Sequence, residues 1–255
     1  MGRERVGEFG RNLRQDSAPA GQVGDERADG NSAMGSFTAR AFLQPIAAPS
    51  ILGLFGFAAS TFMVSAHLAG WYGTSPATFV VLAPFAATFG GIGQIIAAVW
   101  GYRARDGIAT AMHGMWGLFW VAFGLLWLLI GTGSLPPLAV LGEVAYGYWF
   151  AMLTAVTLSG ALAAMWENLA LSAVLHTLWI GAGCLAVGLM TGASGFEVFG
   201  AYVLMLSAVL AWYTGTALMF EGVGTPILPV FETNKTKEKP DFDAGAGEPG
   251  VQHGQ

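Results

Sequence analysis

Few side chains in this sequence are able to do chemistry in a confined place. Three histidines, His67, His113 and His176, and one glutamine, Gln94, lie within long apolar runs, and a fourth histidine, His253, lies near the end. His113 stands three residues before Trp116, so a helix puts both on one face. An imidazole on such a face is able to sense or pass a proton near neutral pH; its structural alternative is a ring bonded to a nearby carbonyl. Gln94 follows Gly90-Gly91-Ile92-Gly93 and serves either an interhelical hydrogen bond or a passing solute. A metal site needs three or four converging ligands, and the histidine spacing offers no such set, so no metal or other cofactor is expected. The single Cys184 excludes an intramolecular disulfide and a cysteine-rich metal centre and reads as a small packing residue.

Enzyme signatures are missing. There is no phosphate-cradling loop, dinucleotide fingerprint or two-histidine zinc helix, and the glycines at 90–93 sit inside an apolar run with no strand before them. The acids Asp106, Glu143, Glu167, Glu197, Glu221 and Glu232 all fall between apolar runs or at their ends. A charge at mid-membrane is kept only for function, and no Asp, Glu, Lys or Arg occupies the middle of a run. Any permeant must then be small and neutral, or be handled by hydrogen bonds and backbone dipoles.

The elements that carry these residues follow from composition. The chain is 54% hydrophobic and 11% charged, with a mean hydropathy of +0.56; a soluble domain carries about 25% charged residues. Six apolar runs, near 51–70, 77–101, 107–131, 144–165, 169–191 and 198–220, each approach the roughly 20 residues a helix needs to cross a bilayer. They are too long and too continuous for strands. The expected fold is an all-α integral membrane protein, a channel-like bundle of six transmembrane helices. Short links make neighbours antiparallel, only 132–143 with Pro136-Pro137 being longer, and Pro84 should kink the second helix or delay its start.

Residues 1–47 and 232–255 are expected to be disordered tails flanking a membrane domain at 48–231. The leader is polar and aperiodic and cannot bury enough surface to offset its chain entropy, and no apolar region of a secretory signal precedes Ile51. All 11 Lys and Arg fall on one side of a six-span arrangement: Arg3, Arg5, Arg11, Arg14, Arg27 and Arg40 in the leader, Arg103 and Arg105 in the second link, and Lys235, Lys237 and Lys239 in the tail. The excess of cations toward the cytoplasm places both termini there, in the cell membrane. No basic stripe is present to bind nucleic acid.

The start of the first helix is the most structured stretch. Pro49 suits a first turn, and Ser50 is a rival cap through its hydroxyl. Gly53 and Gly56, three residues apart, share a face with Phe57 and Ser60, where a second backbone or a solute can come close.

These motifs resemble the acetate uptake transporters, also called succinate–acetate permeases. Ala48-Pro49-Ser50-Ile51-Leu52-Gly53-Leu54-Phe55-Gly56-Phe57 is similar to the family's first-span motif, Phe89-Gly90-Gly91-Ile92-Gly93-Gln94-Ile95 to the second, Trp116-Gly117-Leu118-Phe119-Trp120 to the third, and Thr225-Pro226-Ile227-Leu228-Pro229 to the Leu-Pro motif after the sixth. The resemblance covers roughly 48–231. It implies a homohexamer with a pathway in each protomer, carrying acetate and in some members succinate, with protons. It also implies a hydrophobic constriction at Phe57, Trp116 and Leu178. Trp116 stands where the family has tyrosine, which keeps an aromatic plug but replaces a hydroxyl by a larger indole that only donates. Ala48 and Ile51 replace the family's asparagine and second proline; the side-chain cap is lost, while the backbone N–H groups of the helix start remain an anion-attracting feature. The alternatives are a urea or small-amide channel, which suits an interior free of charge, and a non-transporting membrane sensor or scaffold.

Overall fold

The computed structural model describes residues 47–73 and 77–232. The expected tails lie outside the described residues apart from Ala47 and Glu232, as do the leader arginines, the tail lysines and His253. Among the described residues the chain is all helical, and six helices are long and apolar enough to cross a membrane: α1 (Ser50–Leu68), α2 (Ala77–Ala104), α3 (Gly107–Gly131), α4 (Glu143–Ala164), α5 (Leu169–Thr191) and α6 (Ser194–Gly222). The apolar runs set these spans. The third and fifth match the expected limits, and α6 starts earlier than expected, taking Glu197 into its first turn.

Local chemistry sets the ends. Asp106 caps α3 by accepting a 2.8 Å hydrogen bond from the Ala109 N–H, and Asn168 caps α5 in the same way from Leu171 N–H. Gly142, at φ +118, separates a single turn, Leu138–Leu141, from α4, a backbone state other residues rarely adopt. The expected Ser50 cap is not formed. Pro49 occupies the cap position and no side chain bonds the free N–H groups, because Ser50 is already the first helical residue.

The second helix does not simply kink at Pro84. It passes into a π-helical stretch, Ala86–Ile92. Proline lacks an N–H and crowds the preceding turn, and a widened turn just beyond it absorbs the mismatch. The Thr88 hydroxyl donates to the Pro84 carbonyl at 2.8 Å.

The helices form a ring in which α1 lies between α2 and α6, α5 lies between α4 and α6, and α3 packs on α2; α3 and α4 touch sparsely. Close approach depends on small residues. A Cβ on Gly56 would strike the Phe89 carbonyl of the π stretch, and one on Gly91 would crowd Val121 and Gly117 of α3. Gly181 and Gly200 face each other's carbonyls across α5 and α6. Of three small residues spaced by four in α2, Gly93, Ala97 and Gly101, Ala97 is buried and Gly101 abuts Thr110, but Gly93 is roomy. The interior is an aromatic stripe along α3, in which Trp116, Phe119, Trp120 and Phe123 meet edge to face with centroids 5.1–5.4 Å apart from one ring to the next. Each such pair is worth about 0.5–1.5 kcal/mol beyond burial.

After α6 the chain returns to the start of α5. The Leu169 and Ala170 N–H groups donate to the Phe231 and Val230 carbonyls, both at 3.2 Å, and the Tyr213 hydroxyl donates to the Pro229 carbonyl at 2.8 Å. With Asn168 serving Leu171 and Ser172, the first four N–H groups of α5 are all bonded.

Gly56→Ala should destabilise the protein by about 1–3 kcal/mol, the range for overpacking, because a backbone carbonyl cannot step aside. Gly107→Ala meets open space and should melt as the wild type does. Thermal unfolding of the two purified variants in detergent checks this contrast.

Candidate functional site: a buried aromatic ring between two cavities

Phe57, Trp116 and Leu178 come together although they lie on α1, α3 and α5. All three are between 2 and 3% exposed and line one small cavity, about 30 Å³, together with Ser50, Gln94 and His113. The Phe57 and Trp116 rings stand edge to face, 6.2 Å between centroids. On the other side of Trp116 opens a larger cavity of about 460 Å³, bounded by residues from all six helices and by the link after α3. Trp116 alone among the described residues lines both cavities. It is the floor of the larger chamber and the roof of the smaller one.

Its orientation is fixed by a partner that sequence reading missed. The indole Nε1–H donates to the Thr157 Oγ1 of α4 at 3.0 Å, and the Thr157 hydroxyl donates to the Leu153 carbonyl at 2.7 Å. Thr157 is fully buried. The indole at this position therefore has an acceptor placed for it. The one sequence signal was a hydroxyl in the fourth span, which carries no address until the helices pack.

The smaller chamber holds the polar residues. In α2 the amide nitrogen of Gln94 donates to the Gly90 carbonyl at 2.8 Å, within the turn that the π stretch has loosened. Its oxygen lies 3.3 Å from His113 Nδ1, so Nδ1–H is the donor and Nε2 is the free position. The His113 ring rests on Gly53: a Cβ there would overlap the imidazole. The three expected residues Gly53, Gln94 and His113 are thus one constellation, and Gln94 makes the interhelical hydrogen bond its position allowed while also lining the smaller cavity. Pro49 sets the start of α1 beside it, and Ser50 lines the chamber. Gly56 and Ser60 behave otherwise. They share the Phe57 side of α1 but turn to the π stretch, Gly56 against Phe89 and Ser60 against Gly90, and neither borders the two cavities.

The other histidines have local partners. His67 Nδ1 meets the Tyr72 carbonyl and His176 Nδ1 the Ser172 carbonyl, each at 2.8 Å. No group of His, Cys, Asp and Glu able to hold a metal occurs among the described residues. Cys184 packs against Gly200.

Comparison with known proteins places this geometry. A protein-family model described as the GPR1/FUN34/yaaH family matches residues 31–231. An uncharacterised protein of Methanothermobacter thermautotrophicus is 29% identical over 186 residues, covering 71% of this chain and 89% of that protein. The solved structure of the bacterial acetate channel SatP superposes with a TM-score of 0.66 at 21% identity, over 73% of this chain and 99% of that one; this likeness is one of fold. The resemblance carried by the span motifs and the multi-pass membrane fold are both borne out.

The Trp116–Thr157 bond is testable by a double-mutant cycle. Thr157→Val should cost about 1–3 kcal/mol by leaving a buried N–H unsatisfied. In a Trp116→Phe background, which has no N–H to strand, the same change should cost about 1 kcal/mol less. Unfolding free energies of the four proteins in detergent give the coupling.

Proposed function

We propose that this chain, which belongs to the GPR1/FUN34/yaaH family, conducts acetate or a similarly small monocarboxylate through each protomer, past the neck at Phe57, Trp116 and Leu178. The observation that carries this reading is the place of Trp116, a buried ring with a cavity on either side. The fold neighbour named an acetate channel and the family of the span motifs support the substrate class.

The neck favours the protonated acid. Moving a bare carboxylate into dry protein costs on the order of 20 kcal/mol in the ideal limit and several kcal/mol after relaxation. Protonating a carboxyl group at neutral pH, about 2.5 units above its pKa, costs about 3.4 kcal/mol. The solute therefore loses its charge above the neck and regains it below, and proton movement is coupled to solute movement without a buried acid on the protein. His113 Nε2, with Gln94 holding the opposite nitrogen, is positioned to take the proton beyond the neck. The constellation of Gly53, Gln94 and His113 binds the solute transiently beside the first turn of α1.

Six spans put both ends of the described chain on the face that carries Arg103 and Arg105, which is the cytoplasmic face. The larger cavity, bounded by Pro137, Glu143 and Glu197, then opens outward. The assembly is a homohexamer; exposed large apolar side chains on every helix meet lipid or neighbouring copies.

Labelled acetate uptake into proteoliposomes should rise about tenfold for each unit by which the outside pH falls, as the protonated fraction does above the acid's pKa. Trp116→Ala should admit longer monocarboxylates, and His113→Ala should slow uptake at every pH by removing the proton acceptor beyond the neck. Uptake indifferent to pH and to Trp116, or swelling in urea with none in acetate, defeats the reading.

A further inference from the structure

The larger cavity has a wall divided by chemistry, and nothing in the neck accounts for it. Three of its side chains bury a polar atom that has no hydrogen-bond partner: Thr61 Oγ1, Trp120 Nε1 and Trp127 Nε1. These residues are only 3%, 3% and 5% exposed. The Tyr146 hydroxyl, on the same wall, is likewise buried and unpartnered. A polar group stranded in this way costs stability and calls for an explanation. An indole N–H only donates, and a hydroxyl is able to donate, so the set is matched to a ligand rich in acceptors, such as a carboxyl group.

Two acids stand at the mouth of the same cavity. Glu143 begins α4 and Glu197 lies in the first turn of α6. Room for Glu197 is made by Gly188, where a Cβ would strike its side chain. His67, the one described lining residue able to become cationic, has Nδ1 engaged with the Tyr72 carbonyl. The described arginines, Arg103 and Arg105, are at the opposite face. By helical rise Trp127 is about 6 Å and Trp120 about 16 Å below the end of α3, against about 22 Å for Trp116, while Glu143 opens α4 and Glu197 is about 4.5 Å into α6.

We propose that this vestibule is a selectivity filter in its own right, in which the indole and hydroxyl donors, ranged along the wall, receive one carboxyl group in succession while Glu143 and Glu197 turn away solutes bearing a second. The inference rests on the transport reading above. The field of two carboxylates at a narrow mouth acts on a dianion twice as strongly as on a monoanion and not at all on a neutral acid. A dicarboxylic acid is neutral only after two protonations, so its uncharged fraction falls with the square of proton activity and it stays excluded.

The test compares labelled acetate with labelled succinate in proteoliposomes of the full chain. In the Glu143→Gln/Glu197→Gln double variant acetate uptake should rise by about threefold at most and succinate uptake by about tenfold, the square of the monoanion's gain. Raising salt should narrow the wild-type preference for acetate, by screening the mouth, and leave the double variant's preference flat. If the double variant does not fold, each single variant should show an intermediate shift. Trp127→Phe, which keeps the ring and loses the N–H, should raise the KM for acetate with little change in the acetate-to-succinate ratio. A ratio that neither the variants nor salt can move overturns the filter, as does an unchanged KM in Trp127→Phe. Wild-type protein that passes no acetate above empty liposomes overturns the transport reading as well, so the two failures are told apart.

Discussion

The rest of this structure depends on one constraint: in an interior without water, each polar group must be satisfied by the chain itself or by what passes through. The proline in α2 breaks a helical ladder, a π stretch follows, and the Gln94 amide comes to the Gly90 carbonyl. That same amide then has its oxygen turned to His113. An accommodation made for backbone reasons thereby orients the polar side of the smaller cavity. Trp116 follows the same logic, since its large ring is held by the hydroxyl of Thr157. Of the buried polar atoms left without a partner among the described residues, those of Thr61, Trp120, Trp127 and Tyr146 line the larger cavity, while those of Ser60 and Trp179 do not.

The spans were legible because a bilayer imposes a length that a run of apolar residues either meets or does not. The limits of α3 and α5 could be read off the residues that cap them, Asp106 and Asn168. Phe57, Trp116 and Leu178 were legible through motif resemblance alone; nothing in their spacing, 59 and 62 residues apart, says that they meet. Periodicity describes one helix at a time, whereas the neck, Thr157 and the facing of Glu143 toward the cavity of Glu197 are products of how helices are arranged in the ring. The Ser50 cap failed for a smaller reason: proline at the preceding position starts the helix by geometry and leaves serine inside it. The reading of Gly56 and Ser60 as room beside Phe57 took a shared face for a shared environment, and the face is wide enough to serve both the neck and the π stretch.

Glycine does two different jobs here. At Gly56, Gly181 and Gly200 it brings backbones together, which in a membrane replaces the hydrophobic effect as the source of helix association. At Gly53 and Gly188 it leaves a recess that another residue's polar side chain fills, His113 in one case and Glu197 in the other. The second kind places chemistry. It is invisible in a sequence, because a glycine that admits a neighbour's side chain and one that admits a neighbour's backbone are the same letter.

The return of the segment after α6 to the head of α5 has a consequence for how the protein is made. A chain emerges from the ribosome in order, so α5 is in place for some time with its leading amides uncovered, and only when Val230 and Phe231 have been synthesised can those amides be closed. The clasp is the last of the described interactions to become available. Until then two amides at the head of the fifth helix lack their partners, and the arriving segment supplies both at once.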